Sequence, residues 1–106
     1  MSNALVTVPA TAKRGEVIEI RTLVSHNMET GYRLTERGAS IPRDIVRSFS
    51  CTYNGVEIFS AELHPAISAN PYISFSALAT ESGTIEFHWK GDNGFDVSSS
   101  ARITVT

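Results

Sequence analysis

Apolar and polar residues alternate with period two along most of this chain, in short runs separated by turn-forming residues. In an extended chain that period sends successive side chains to opposite faces, so each run reads as a half-buried β-strand. Such runs span 5–8, 16–25, 45–53, 56–63, 72–80, 84–90 and 95–106. Pro9 stops the first, and the turn "AKRG" leads into the second, whose Ile18, Ile20 and Val24 share a face. Phe49, Cys51 and Tyr53 fall on one side of the third. Asn54-Gly55 then supplies positive φ at both central positions of a type I′ turn, which predicts a hairpin joining the third and fourth strands. His64-Pro65 ends the fourth. Ile73, Phe75, Ala77 and Ala79 face inward from the fifth, with Ser74 and Ser76 outward. Ile85, Phe87 and Trp89 do the same from the sixth, against Glu86, His88 and Lys90. After the turn "GDNG", Ala101, Ile103 and Val105 mark the inner face of the last. About seven strands, each apolar on one face, and no helical period predict an all-β fold: an immunoglobulin-like antiparallel sandwich of two sheets.

One connection breaks the pattern of short turns. Residues 26–44 carry no clear strand, and a connection of that length in a compact domain is usually functional. It holds Met28, Tyr32, Leu34, Ile41 and Pro42, too apolar for a free linker. The expectation is a loop packed along the sandwich, with a short edge hairpin at "YRLTERGAS".

Composition narrows the function classes. The 106 residues fit one domain, 1–106, able to bury its own core. Net charge is −2 and the nine Lys and Arg are scattered, which leaves no basic stripe for nucleic acid. A single cysteine excludes an internal disulfide, a CxxC pair and a zinc–thiolate cluster. No run approaches the roughly 20 apolar residues of a membrane-spanning helix. The beginning "MSNALVTVPA" lacks the basic and long apolar regions of a signal peptide.

Candidate chemistry is sparse. His26 and Met28, two residues apart on an extended chain, present imidazole and thioether, the ligand set of copper sites. A tight site needs at least a third ligand, and neither His64 nor His88 has a spacing that supplies one, so an ordinary surface or packing role is the preferred reading and a metal-binding sandwich the alternative. No G-x-S-x-G elbow accompanies the many serines, and the three histidines fall on a loop, a strand end and an outward strand position, which argues against an enzyme. Cys51 sits in register with Phe49 and Tyr53, so it reads as a core thiol with little thiolate. Trp89 likewise follows Ile85 and Phe87 into the core. Arg33, Arg37, Arg43 and Arg47, set beside Tyr32, Ile41 and Pro42, have the composition that protein–protein contact surfaces favour. An ordinary solvated loop is the competing reading of the same residues.

The segments "METGYR", "IPRDIVRSFSCTYNG", "HPAISANPYISF" and "ATESGTIEFHWKGDNGF" resemble the SoxZ family of sulfur-oxidation proteins over nearly the whole chain. One departure is His26-Asn27-Met28, where the family pattern has proline in the middle, which loosens the start of the loop. The resemblance implies a cofactor-free, non-catalytic β-sandwich that pairs with SoxY in the SoxYZ carrier of thiosulfate oxidation. In that system a cysteine on the glycine-rich C-terminal arm of SoxY holds the intermediates, and other Sox enzymes visit it. This chain ends "ARITVT", without glycine arm or terminal cysteine, and so resembles the non-carrying partner. The family implies a periplasmic location reached by export in complex with SoxY. On exposure and composition, the SoxY contacts are expected at Met28, Tyr32, Arg33, Ile41, Pro42 and Arg43, with Asn54 added. When SoxY is absent, an exposed sheet edge or apolar patch is expected to find cover in a homodimer.

Overall fold

A computed structural model describes residues 4–64 and 69–106. Eight strands follow in chain order: β1 Ala4–Thr7, β2 Thr11–Ala12, β3 Val17–Val24, β4 Val46–Tyr53, β5 Val56–Glu62, β6 Tyr72–Leu78, β7 Gly83–Gly91 and β8 Asp96–Val105. They form a three-stranded sheet, β1-β3-β6, and a five-stranded sheet, β2-β8-β7-β4-β5. The two sheets make the all-β, immunoglobulin-like sandwich that the alternation predicts. Strand bounds agree to within a residue or two. Pro65, expected to end the fourth predicted strand, lies outside the described residues.

One element was not visible in the pattern. Residues 11–12 pair in parallel with Thr104 and Val105 of β8, so the chain switches sheets after Pro9. Two residues are too few to display a period, and "AKRG" reads as turn alone. At the other end of the sandwich Asn54 (φ 49°) and Gly55 (φ 84°) make the expected turn between β4 and β5.

The core is where the inward faces meet. Ile18, Ile20, Val24, Phe49, Cys51, Tyr53, Ile85, Phe87, Trp89 and Ile103 are buried, each on the face its alternation assigns. Phe49 is the hub: its ring lies 5.2 Å from Trp89, 6.0 Å from Phe59, 6.2 Å from Phe75 and 6.3 Å from Phe87. Thr22 also points inward from β3; burying its hydroxyl is tolerable because Oγ1 donates to the Ile73 carbonyl at 2.9 Å. Burial pushes the Cys51 thiol up to about 12, so it stays protonated and unreactive at neutral pH.

The loop after β3 departs from expectation. Residues 32–40 are all exposed. The chain folds back on itself as a narrow hairpin that projects from the sandwich instead of packing along it. Bridges at Glu29–Asp44 and Leu34–Ser40 hold its legs together. The projection stretches the molecule to 60 × 22 × 19 Å with a radius of gyration of 16.3 Å, against about 13 Å for a compact domain of this length. Tyr32 and Leu34 are the only large apolar residues on its distal part, too little surface to offset folding it down over polar strands.

Candidate functional site

The hairpin grows from a root tied to the sandwich by backbone hydrogen bonds. His26 N–H donates to Asn70 Oδ1 and Asn70 N–H to the His26 carbonyl, which ties the end of β3 to the approach to β6. Met28 adopts φ 54°, rare for a residue with a side chain, and its N–H donates to His26 Nδ1 at 2.8 Å. An accepting Nδ1 leaves the proton on Nε2, which faces Asp44 Oδ1 at 3.5 Å. The imidazole and the Phe95 ring meet nearly at right angles, with ring centres 4.7 Å apart. Met28 itself is buried, and its sulfur accepts from the Val46 N–H at 3.2 Å. Both atoms of the copper reading are thus turned inward onto backbone donors. Among the described residues no three His, Cys, Asp or Glu side chains gather as a ligand group.

A second clasp comes from a residue the sequence did not single out. Asp92, in the 3₁₀ turn Asp92–Gly94 between β7 and β8, accepts two bonds from Arg43, at 2.9 and 3.0 Å, and a third from the Ile45 N–H at 3.2 Å. Its own N–H donates to the Ile45 carbonyl at 2.9 Å. Arg47 approaches to 4.0 Å. The Arg43 hydrogen bonds hold the Asp92 carboxyl below its usual 3.8, against the opposing effect of desolvation, with the Ile45 N–H adding to the lowering. A carboxyl depressed by folding contributes stability that is complete above 3.8 and lost as pH falls through the lowered value. The protection of the Ile45 amide, measured against its intrinsic exchange rate at each pH, is therefore expected to fall only on acidification below 3.8, and Asp92→Asn to remove that acid step. A protection factor for Ile45 that already falls near neutral pH would contradict the clasp.

Beyond the root the hairpin is held by its own backbone. Glu29 and Asp44 exchange two bonds of 2.8 Å, Ile41 N–H donates to the Arg33 carbonyl, and Thr35 N–H to the Ala39 carbonyl. Gly31 (φ 89°) lets the legs close: a side chain there would meet Arg43 Cβ at 3.1 Å. Arg33 pairs with Glu29 four residues back, and that hydrogen bond draws the Glu29 carboxyl down. Tyr32 is 83% exposed and Leu34 61%, with no core to cover them. At the foot lies an open cleft of about 510 Å³, bordered by Arg43, Arg47, Lys90 and His64, with Glu62 its one carboxylate.

The structure thus brings Tyr32, Arg33, Ile41, Pro42 and Arg43 together on one projecting element, and places Met28 beneath it as an anchor. Asn54 lies elsewhere. It sits at the far end of β4, roughly 25 Å along the strand, where its side chain accepts from Thr84 N–H and donates to the Ser82 carbonyl. On the outer face of the larger sheet His88 Nε2 meets Asp96, with Ser50 and Ser98 as its cross-strand neighbours. That is a cross-strand hydrogen bond on an open surface, and among the described residues no serine hydroxyl is bonded to the ring.

Comparisons with known proteins agree with this architecture. Solved structures similar to the chain include a superoxide reductase (neelaredoxin) from Ignicoccus hospitalis, 15% identical, TM-score 0.77, covering 98% of this chain and 80% of that one. A putative superoxide reductase from Thermotoga maritima is 18% identical, TM-score 0.73, covering 97% and 85%. The sulfur carrier protein SoxY from Chlorobium limicola f. thiosulfatophilum is 12% identical, TM-score 0.68, covering 100% and 81%. At such identities the likeness is one of fold. No similar sequence is found among curated proteins. The sequence matches the family described as Sulphur oxidation protein SoxZ over residues 6–102. The chain therefore belongs to the SoxZ family, a membership that gives it a role in the Sox system and points to a non-enzyme.

Proposed function

We propose that the chain is the non-catalytic subunit of a SoxYZ sulfur-carrier heterodimer in thiosulfate oxidation, and that the projecting hairpin is its handle on SoxY. The observation that carries this reading is the hairpin itself: an ordered, backbone-bonded element that displays Tyr32 and Leu34 to solvent instead of burying them. Exposed aromatic and arginine side chains on a rigid support cost little entropy to immobilise, the condition under which a few residues dominate an interface. The cleft at the foot, where Arg47 and Lys90 stand beside Glu62, extends the surface with polar groups that a partner can meet. SoxY shares this fold, so the pair would be two sandwiches of one architecture, one carrying the cysteine arm and one bracing it.

In this reading the subunit does no chemistry. It holds SoxY so that the arm can visit other Sox enzymes, which dock transiently on the pair. The proposed compartment is the periplasm, reached in complex with SoxY. Mixing the purified chain with SoxY is expected to give a one-to-one complex by size exclusion with light scattering. Pro42→Asp, a change on an exposed leg, is expected to weaken co-purification while leaving the thermal transition of the isolated chain in place. Separate elution of the two wild-type proteins would overturn the reading, and full retention of binding by Pro42→Asp would move the interface away from the hairpin.

A further inference from the structure

The sandwich has four sheet edges, and three are blunted against pairing. β1 has four residues and ends before Pro9; β2 has two, and the stretch of β8 it leaves unpaired, 96–103, carries Asp96 and Arg102. β5 carries Glu57 and Glu62, and a register shift opposite Cys51/Thr52 breaks its ladder. β6 is the exception: seven residues, "YISFSAL", with no charge, no proline and no register shift. Its bonds to β3 fix which backbone groups are free. Val24 N–H donates to the Pro71 carbonyl and Ala79 N–H to the Glu16 carbonyl, so 73, 75 and 77 face β3 by alternation. The N–H and C=O of Tyr72, Ser74, Ser76 and Leu78 point off the edge of the sheet, and among the described residues no strand pairs there.

This edge is self-complementary. An antiparallel copy placed with its two-fold axis at Phe75 sets Tyr72 opposite Leu78 of the second copy and Ser74 opposite Ser76 of the second copy. Those four residues are the ones with outward backbone groups, so the pairing forms about eight interchain hydrogen bonds with none left over. On the outer face Tyr72 (60% exposed) and Leu78 (54%) cover one another across the junction. On the inner face the axis brings the two Phe75 rings together. Each is half-buried and stacked on a half-buried Phe59 at 4.4 Å, so a second copy would complete the cover of a ring already packed on the core. No like charges meet anywhere along the strand. We infer that the isolated chain pairs with a second copy of itself through β6, edge to edge, joining the two three-stranded sheets into one of six strands. This goes beyond the SoxY reading and does not depend on it.

Three variants test the register as well as the contact. Ser74→Glu with Ser76→Glu puts carboxylates opposite each other across the axis and is expected to give a monomer. Ser74→Glu with Ser76→Lys puts unlike charges opposite, each also beside an unlike charge on β3 (Arg21 and Glu19), and is expected to restore the dimer. Ser76→Pro removes only an outward N–H, twice per dimer, and is expected to weaken association by roughly tenfold or more. Sedimentation equilibrium across a dilution series reads all three, against an expected wild-type mass of twice 11.5 kDa; circular dichroism confirms the fold. A wild-type monomer at every concentration, or equal association in all variants, overturns the inference. So does a monomer whose 72–78 amides gain exchange protection only when SoxY is added, which would assign the edge to that partner.

Discussion

Tyr32→Ala combined with Arg33→Glu is expected to weaken binding to SoxY by about a hundredfold or more, the loss of two contacts of hot-spot size. The same variant is expected to keep its melting temperature within about 4 °C of the parent, because surface changes away from packed groups stay within roughly 0.5 kcal/mol. The asymmetry is what makes the prediction informative. The Tyr32 side chain stands in solvent, and that of Arg33 bonds Glu29, its neighbour on the hairpin. Side chains so placed stabilise little at home, so any large effect of changing them must be read in a complex. Titration calorimetry with SoxY and a thermal melt of the isolated chain measure the two halves separately. Equal affinity in parent and variant would show that the hairpin does not meet SoxY.

Gly91→Ala is expected to do the reverse, damaging the fold and through it the site. Gly91 has φ −152°, ordinary extended backbone, so glycine is not there for its conformational freedom. It is there for room: a Cβ would lie 2.5 Å from the Ile45 carbonyl oxygen and 3.0 Å from Val46 Cα. Both obstacles are backbone and cannot swing aside. Since the Ile45 carbonyl accepts from Asp92 N–H, relief of the clash opens the clasp under the hairpin. The expected cost lies at the upper end of the roughly 1–3 kcal/mol typical of overpacking, read as a fall in melting temperature of more than about 8 °C. Gly38→Ala is the control. At the hairpin tip a Cβ meets nothing, so only the φ of 80° is strained, and the loss is expected to be local. If Gly91→Ala melts like the parent, the close approach of β7 to the hairpin root is not as described.

The sandwich was legible because its strands are half-buried and display their period. Ile18, Ile20 and Val24, or Ile85, Phe87 and Trp89, can occupy one face only if the chain is extended there. Where a contact joins residues far apart in sequence, no period reports it. Asp92 meets Arg43 across 49 positions, and in sequence "GDNG" is only a good turn. Met28 looked exposed because thioether and loop suggest a surface; its burial follows from a positive φ that turns the side chain under the root. The direction of the hairpin was hidden for a similar reason. Apolar content in 26–44 predicted packing, but the buried share belongs to Met28 at the root, while Tyr32 and Leu34 lie beyond it. Asn54 shows the converse: a residue singled out for exposure spends its side chain locking a turn to residues 82–84.

The central claim is that the hairpin is the surface through which this SoxZ-family chain holds SoxY. Hydrogen exchange of the chain alone and saturated with SoxY tests it most directly. Slowed exchange in 29–44, with the turn at Asn54-Gly55 unchanged, is the predicted result. A stable complex in which 29–44 exchanges as it does in the free chain would contradict it.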